Sequence, residues 1–376
     1  MEPGVERPRL FTRGQRDHCL RRGEFTSIGG QPRNYIGGID VVTGAANTFA
    51  IDLNWPVNAL ALYGSRLYVG GIFSNVSGGG KVRNYLAALD SNGVPTSWNP
   101  NMNGDVNTIT PASATSKVMY VGGAFTLAGT TVRNHLAAIN ASGKATVWDP
   151  NADGDVYAIA MRGSVVYAGG AFRNVAAQPR NGLAAMNSSG VPTTWDPNAN
   201  GPVYALAVRG TRIYAGGAFT SIKGQPRNYL SEISTAGAPT TWNPSPNGAV
   251  MALATSTTDV YIGGDFTSVA GLARNHLAAI GTAGAATTWD PNANGPVYAL
   301  CFDEQTVYAG GDFTMLGSTI RYHIAAVDVT GELNVWNAAA GGNIFALCVS
   351  GSRLAAGGSY WNIGSETCAG FSMLFK

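Results

Sequence analysis

The chain has 376 residues, of which 12% are charged and 50 are glycine, and its formal net charge is +2. The charged share is about half of the roughly 25% usual in soluble proteins, and the glycines favour short strands joined by tight turns. No run of 18 apolar residues occurs, which excludes a membrane-spanning helix, and the N-terminus lacks the apolar stretch of a signal peptide.

The first 22 residues differ from the rest of the chain. Six arginines crowd into them, at Arg7, Arg9, Arg13, Arg16, Arg21 and Arg22. The remainder carries 18 basic and 19 acidic side chains, so the body of the protein is neutral and no nucleic-acid partner is expected. We therefore treat residues 1–22 as an anomalous N-terminal segment and residues 23–376 as one domain.

From Gly23 onward the chain repeats itself every 47 residues or so. The motif Tyr-x-Gly-Gly-x-Phe ends at Phe73, Phe125, Phe172, Phe219, Phe266 and Phe313, with degenerate copies ending at Phe25 and Tyr360. Further on in each unit an Arg-Asn pair is followed by an apolar stretch, a turn with glycine and a segment that ends in tryptophan. The tryptophans are Trp98, Trp148, Trp195, Trp242, Trp289 and Trp336.

Each unit offers four short strands; in the fifth they are 203–208, 212–217, 229–233 and 239–242. They are rich in Val, Ile, Tyr and Thr, they are separated by Gly, Asn and Pro, and no apolar stripe has helical spacing. Four-stranded antiparallel units of this size are the blades of a β-propeller. The sequence thus predicts an all-β protein, a single β-propeller with eight blades or, as the alternative, seven.

Residues 1–22 do fit the repeat in another reading frame. Reading the codons one nucleotide later turns Met1 into Trp, and residues 6–10 can become Asn-Gly-Pro-Val-Tyr, the motif at 200–204. We hypothesise that a frame error near Arg22 scrambled a normal repeat. The last unit, from Ile344, has three strands and lacks its Trp strand, which the corrected N-terminus would supply to close an eight-bladed ring.

Several motifs together resemble a known family. The strings Tyr-x-Gly-Gly-x-Phe-Thr, Arg-Asn-x-Leu-Ala-Ala and Trp-Asp/Asn-Pro-Asn-x-Asn-Gly are similar to those of the bacterial delta-60 repeat β-propellers, a family defined by a domain of unknown function. The resemblance runs from Gly23 to the C-terminus. It implies a propeller in an extracellular or cell-surface setting, and it carries no catalytic residues over to this chain.

One loop after a tryptophan resembles the opening of a calcium loop. Asp149, Asn151 and Asp153 place oxygen atoms at positions 1, 3 and 5, followed by Gly154 and Asp155. A calcium loop also needs an acidic closing ligand, but here the chain continues directly into an apolar strand. Asn or Asp before Gly equally makes an Asx turn without metal, so both interpretations stay open.

The arginine of the Arg-Asn pair recurs at Arg33, Arg83, Arg133, Arg180, Arg227 and Arg274, and Arg321, followed by Tyr322, takes the seventh such position. A ring of arginines could form an anion-binding face. A residue needed once per blade more often holds that blade together, by stacking on its Trp or by bonding turn carbonyls. We therefore interpret the arginines and the tryptophans as structural repeat residues.

Three histidines, His135, His276 and His323, share one repeat position that is Tyr in other units, which favours packing over metal binding. Asp265 and Asp312 replace an apolar residue in neighbouring units and could make one acidic spot or be surface variation. Cys301 and Cys348 are predicted to be small buried residues of one repeat position, and a disulfide between Cys348 and Cys368 cannot be deduced from spacing.

The repeat is unusually uniform, and this uniformity indicates which class of function to expect. Residues 193–206 recur unchanged as residues 287–300, and no nucleophile, acid–base pair or phosphate loop departs from the repeat. We expect a non-enzymatic binding or assembly scaffold without a cofactor, for a protein or glycan partner or for further copies of itself. The alternative is an extracellular hydrolase or lyase that uses the central channel.

Overall fold

The computed structural model of the protein describes most of the chain between residues 52 and 350. The described residues are 27–28, 31–32, 37–39, 46–50, 52–77, 82–335, 339–350, 353–359, 362–363, 366–367 and 371–375. The anomalous segment 1–22, Arg33, Trp336 and Cys368 lie outside them, so the frame-shift hypothesis and the disulfide question stay open. All regular elements in the described part of the chain are β-strands, and no helix there is long and apolar enough to span a membrane.

Seven three-stranded antiparallel sheets follow one another along the described chain, and we name them blades 1 to 7. Their first strands are Val57–Tyr63, Val106–Pro111, Val156–Arg162, Val203–Arg209, Val250–Thr255, Val297–Asp303 and Asn343–Ser350. Their second strands are Arg66–Gly71, Met119–Gly123, Val165–Gly170, Arg212–Gly217, Val260–Gly264, Thr306–Gly311 and Arg353–Ser359. Their third strands are Leu86–Leu89, Leu136–Ile139, Leu183–Met186, Leu230–Ile233, Leu277–Ile280, Ile324–Asp328 and Phe371–Phe375.

Small two-residue hairpins join most second strands to third strands. They pair Leu127–Ala128 with Thr131–Val132, Asn174–Val175 with Gln178–Pro179, Ser221–Ile222 with Gln225–Pro226, Ser268–Val269 with Leu272–Ala273, Met315–Leu316 with Thr319–Ile320, and Asn362–Ile363 with Glu366–Thr367. Near the N-terminus the pairs are Ser27–Ile28 with Gln31–Pro32, Gly37–Ile39 with Ala46–Ala50, and Asp52–Leu53 with Val76–Ser77. The hairpins lie on the face where first strands begin and second strands end, which we call the top face.

The predicted fourth strand is shorter than expected. In blade 4 it is a single bridge between Ile233 and Pro239, and blades 1 to 3, 5 and 6 show the same isolated bridge. Thr240 still donates its amide to Glu232 O at 2.9 Å, but its own carbonyl accepts a hydrogen bond from the Arg227 guanidinium. Because Pro239 has no N–H and an arginine occupies the next carbonyl, a longer ladder cannot form.

Blades pack face to face, and paired glycines make this possible. A Cβ added to Gly216 of blade 4 would lie 2.6 Å from Val250 Cγ1 of blade 5. Val250 is fully buried, as is Phe219, which follows the glycine pair. A larger residue at the glycine would therefore push two sheets apart, which explains why the second strand carries a glycine pair in every blade.

The first strands contact one another in a cycle. Each contacts the first strand of the next blade, and Asn343–Ser350 of blade 7 contacts Val57–Tyr63 of blade 1. At that joint a Cβ on Gly357 would lie 2.6 Å from Val57 Cγ1, as between blades 4 and 5. Each blade is its own sheet, so the cycle closes by face packing alone. Seven described blades form this cycle, and the predicted blade count, eight or seven, is not confirmed.

Candidate functional site

One residue near the start of each first strand departs from the regular sheet. In blade 4 the pairing jumps from Val203–Gly217 to Ala205–Gly216, which leaves Tyr204 as a β-bulge, and the same register shift occurs in all seven blades. A bulge redirects the side chain of its extra residue. We call the seven bulge residues the channel ring; they are Asn58, Asn107, Tyr157, Tyr204, Met251, Tyr298 and Phe345.

The channel ring surrounds the centre of the propeller. Six of its seven residues, together with the two residues after each bulge, line a central cavity of about 200 Å³. Tyr157 packs on Tyr204 with 5.7 Å between ring centroids, and Tyr298 packs on Phe345 at 5.6 Å. All seven side chains are half-buried. The ring therefore presents aromatic and amide groups that are held in place yet still accessible.

Amides occupy the other side of the ring. Asn58 Nδ2 donates to Asn107 Oδ1 at 3.3 Å, and Asn107 Nδ2 reaches Val156 O at 3.4 Å. The channel ring was not predicted from the sequence. The available clue was variation, because this position changes among Asn, Tyr, Met and Phe while the Val before it and the Ala two residues after that Val recur in most blades.

The predicted calcium ligands have other partners. Asp153 Oδ1 accepts the amides of Arg173 and Asn174 at 2.7 and 2.8 Å, and its Oδ2 accepts Asn174 Nδ2 at 2.7 Å. Asn151 Oδ1 accepts Asn134 Nδ2 at 2.8 Å. Asp153 thus fixes the hairpin of its blade, as Asn200 does in blade 4 by accepting the amides of residues 220 and 221.

The outer members of that loop also bond to protein groups. Asp149 Oδ2 lies 3.3 Å from Arg133 Nη1, and Asp155 Oδ1 lies 3.6 Å from His135 Nδ1. No group of three or more His, Cys, Asp or Glu residues in the described part of the chain could hold a metal ion. Burial raises the pKa of the Asp153 carboxyl, but its hydrogen bonds to Asn174 and Arg173 outweigh this and lower the pKa overall. The loop geometry supports a turn-forming role, and calcium stays a prediction to be tested.

The repeated arginines bond carbonyls within their own blades. Arg180 donates to Pro179 O and to Thr193 O, each at 2.7 Å. Matching guanidinium-to-carbonyl bonds occur at Arg83, Arg133, Arg227, Arg274 and Arg321. These six guanidinium groups are thus bonded to the backbone, which supports a structural role for them.

The repeated tryptophans join adjacent blades. Trp195 is only 4% exposed, and its indole N–H donates to Ser234 O of the next blade at 2.9 Å. Its ring meets Tyr167 edge to face with 5.0 Å between centroids. Trp98, Trp148, Trp242 and Trp289 make the same bond and the same ring contact.

Each of the three histidines lies beside a carboxylate on the top face. His323 Nδ1 lies 3.1 Å from Gly311 O and 3.8 Å from Asp312 Oδ1. His276 lies 3.9 Å from Asp265 in the same way. Burial lowers the pKa of His323, although Gly311 and Asp312 partly offset this. Asp265 and Asp312 therefore each accompany the histidine of their own blade.

A buried polar cluster in blade 4 was not anticipated from the sequence. Glu232, 3% exposed, takes a position that is Ala in most other blades and pairs with Arg212 and with Thr240 Oγ1. Arg209 Nη2 donates to the Tyr214 hydroxyl at 2.6 Å. Burial, together with Glu232, raises the pKa of Tyr214 to about 12. The overlooked clue was the string Leu-Ser-Glu-Ile in place of Leu-Ala-Ala-Ile.

Two cysteines lie in the described part of the chain. Cys301 and Cys348 are both partly exposed, and neither forms a disulfide with another described residue. Burial raises the pKa of the Cys348 thiol to about 12, and the residue packs against the core cluster that includes Val57 and Leu67.

Comparison with solved structures identifies the fold. A chain from "Crystal structure of WD40 beta propeller domain of Doa1" aligns with a TM-score of 0.56 at 12% identity, covering 83% of this chain and 92% of that one. The chain is a β-propeller. A chain in "Crystal Structure of Mitotic Checkpoint Complex" aligns at 0.53 and 14% identity, covering 95% and 96%.

A designed protein shows the same architecture. The computationally designed Ika8 protein aligns with a TM-score of 0.56 at 15% identity, covering 85% of this propeller and 91% of that chain. No protein-family model matches the sequence, and no curated protein matches it either. At these identities the likeness concerns the fold alone.

Proposed function

We propose that this propeller is a non-catalytic binding scaffold that engages a protein partner at the channel ring. The observation that carries the proposal is the ring itself, seven bulge residues that vary in chemistry within an otherwise uniform repeat. Tyr, Phe and Met are enriched at the centres of protein interfaces, where charged residues are depleted. The ring contains four aromatic residues, one Met, two Asn and no charge.

The size of the central cavity favours a protein partner over an enclosed substrate. Small-molecule sites usually measure roughly 300–1,000 Å³. The central cavity, at about 200 Å³, is smaller and can receive a single inserted side chain. Tyr298 and Phe345 would form the apolar half of such a contact and Asn58 and Asn107 the polar half.

The alternative of a hydrolase or lyase requires two or more carboxylates or histidines, unique to single blades, at one mouth of the channel. The channel ring contains none. The histidines of the top face recur in three blades with the same glycine carbonyl as partner. This repetition supports a structural role for them and makes the scaffold the better proposal.

An extracellular or cell-surface setting is part of the same proposal. It is supported by the resemblance to delta-60 repeat propellers and by the low share of charged residues. Fractionation of the native organism with an antibody against the chain tests it, and recovery only with cytosolic markers would refute it.

Arrays test the binding proposal. The chain is applied to protein and glycan arrays as the wild type, as the double variant Tyr298→Ala/Phe345→Ala and as the control Val147→Ala, whose side chain is 96% exposed at the rim. We expect protein hits that the double variant loses and the control keeps. Hits confined to glycans would indicate a sugar in place of a protein partner. Hits that the double variant keeps would refute the channel ring as the binding site.

A further inference from the structure

A second cavity, away from the channel ring, lies between blades 3 and 4 on the top face. It measures about 550 Å³, within the roughly 300–1,000 Å³ of small-molecule sites. We call it the interblade pocket and define it by Arg173, Asn181, Gly182, Asn198, Asn200 and Ser221.

Gly182 is the first reason why the interblade pocket exists. Five other blades carry Tyr or His at this position, namely Tyr85, His135, Tyr229, His276 and His323. Those residues adopt φ of 60–62°, a conformation that side chains rarely take, whereas Gly182 has φ 66° at no such cost. Gly370, at the matching position of blade 7, lies outside the described residues.

A side chain at Gly182 would occupy this space. An added Cβ would lie 3.0 Å from Gly201 O and 3.4 Å from Ala199 Cβ. The ring that other blades place here is absent, and its volume is left open to solvent between two rigid sheets.

Arg173 is the second residue at this place in which blade 3 differs from the other repeats. The matching residue is Ser or Thr in blades 1, 2, 4, 5 and 6, and in blade 4 Thr220 Oγ1 accepts a hydrogen bond from Asn200 Nδ2 at 2.8 Å. In blade 3 Asn174 takes over this role by bonding Asp153. Arg173 is exposed, and its guanidinium has no hydrogen bond or ion pair within the described residues.

Amide groups complete the lining. Asn181 Nδ2 donates to Asn198 Oδ1 at 2.7 Å, which leaves Asn181 Oδ1 as an acceptor and Asn198 Nδ2 as a donor on two residues that line the pocket. An acceptor and a donor side by side suit a pair of neighbouring hydroxyl groups. The free guanidinium suits a carboxylate, which it can bind with two parallel hydrogen bonds.

We propose that the interblade pocket binds a sugar acid, a uronic acid residue either free or at the end of a glycan chain. Its carboxylate pairs with Arg173, and its ring hydroxyls bond Asn181 and Asn198. The site is independent of the channel ring, so either proposal can fail without the other.

Calorimetric titration with glucuronate tests the proposal, with glucose and inorganic phosphate as comparison ligands. Two variants, Arg173→Thr and Gly182→Tyr, give blade 3 the residues that blade 4 has at the matching positions. We expect both to weaken glucuronate binding by about tenfold or more, the loss of one charge-assisted pair or of the cavity. Glucose and phosphate should bind the wild type about tenfold more weakly than glucuronate, since each satisfies only half of the site.

A transplant provides the matched control. Thr267→Arg with His276→Gly builds the same two features into blade 5, where Asn275 donates to Asn292 as Asn181 does to Asn198, and should raise the stoichiometry from one to two, whereas His276→Gly alone should not. Tyr298→Ala/Phe345→Ala should bind glucuronate like the wild type. If Gly182→Tyr does not fold, Gly182→Ser takes its place. Absent binding, equal affinity for glucose, or unchanged affinity in Arg173→Thr would each overturn the proposal.

Discussion

At the scale of single residues, the tryptophan of each repeat links two blades by one hydrogen bond and one ring contact. Trp195→Ala would remove a side chain that is 4% exposed, together with its bond to Ser234 O. We expect the free energy of unfolding to fall by roughly 3–5 kcal/mol, the usual loss for a buried large aromatic residue. Denaturant unfolding measures it.

Trp195→Phe is the control for that experiment. It keeps a ring against Tyr167 but loses the indole N–H, so a smaller loss is expected than with alanine. A loss below about 1 kcal/mol in Trp195→Ala would contradict burial and mark the tryptophans as an exposed surface.

Asp153 offers a second test at this scale. Its carboxylate accepts three hydrogen bonds from blade 3, so the melting temperature should be the same in millimolar calcium and in chelator. A rise of several degrees with calcium that Asp153→Ala abolishes would reinstate the calcium loop, because a ligand of the native state stabilises it.

Asp153→Asn distinguishes a residue that only accepts hydrogen bonds from its hairpin from a residue that binds a metal ion. It also tests how the stability of the protein depends on pH. The other six blades have no acidic residue here: five use Asn, as blade 4 does with Asn200, and blade 7 has Gly341. Because the folded pKa of Asp153 is lowered, its contribution is present above the unfolded pKa and is lost as pH falls through the folded pKa. Asp153→Asn should keep stability at neutral pH and lose less on acidification.

At the scale of strands, contact between a second-strand glycine and the next blade decides how closely blades pack. Gly216→Ala would place a Cβ 2.6 Å from Val250 Cγ1. We expect a loss of roughly 1–3 kcal/mol from overpacking, measured by thermal or denaturant unfolding. Since both groups lie on strands, neither can move without shifting a sheet.

The double variant Gly216→Ala/Val250→Ala tests whether the cost arises at that contact. Removing the valine methyls makes room for the new Cβ, so the double variant should be more stable than the sum of the single losses indicates. Simple additivity would show that the glycine is required for a reason other than this contact.

At the scale of the whole molecule, closure of the ring can be measured at its joint. Val57 is fully buried against blade 7, as Val250 is against blade 4. Val57→Ala and Val250→Ala should each cost about 2 kcal/mol, from lost apolar area and a small cavity. A much smaller loss for Val57→Ala would mean that the joint is open or that a further blade intervenes.

The sequence by itself determined the elements. Val-rich segments spaced by Gly, Asn and Pro could form only short strands, and a repeat too short for crossover helices required antiparallel sheets. The β-propeller expected on these grounds is confirmed by its likeness to solved propellers. Local pattern suffices here because strand formation and turn geometry depend on residues that are close in sequence.

Only the tertiary structure decided what depends on contacts between segments that are separate in the sequence. The number of blades in contact around the ring follows from how closely faces such as Gly357 and Val57 approach, which no single repeat encodes. The shortened fourth strand follows from Arg227, whose guanidinium takes the carbonyl of Thr240. The channel ring and the interblade pocket likewise join residues of different blades. A bulge or a missing side chain forms part of a site only where residues of the neighbouring blade lie beside it.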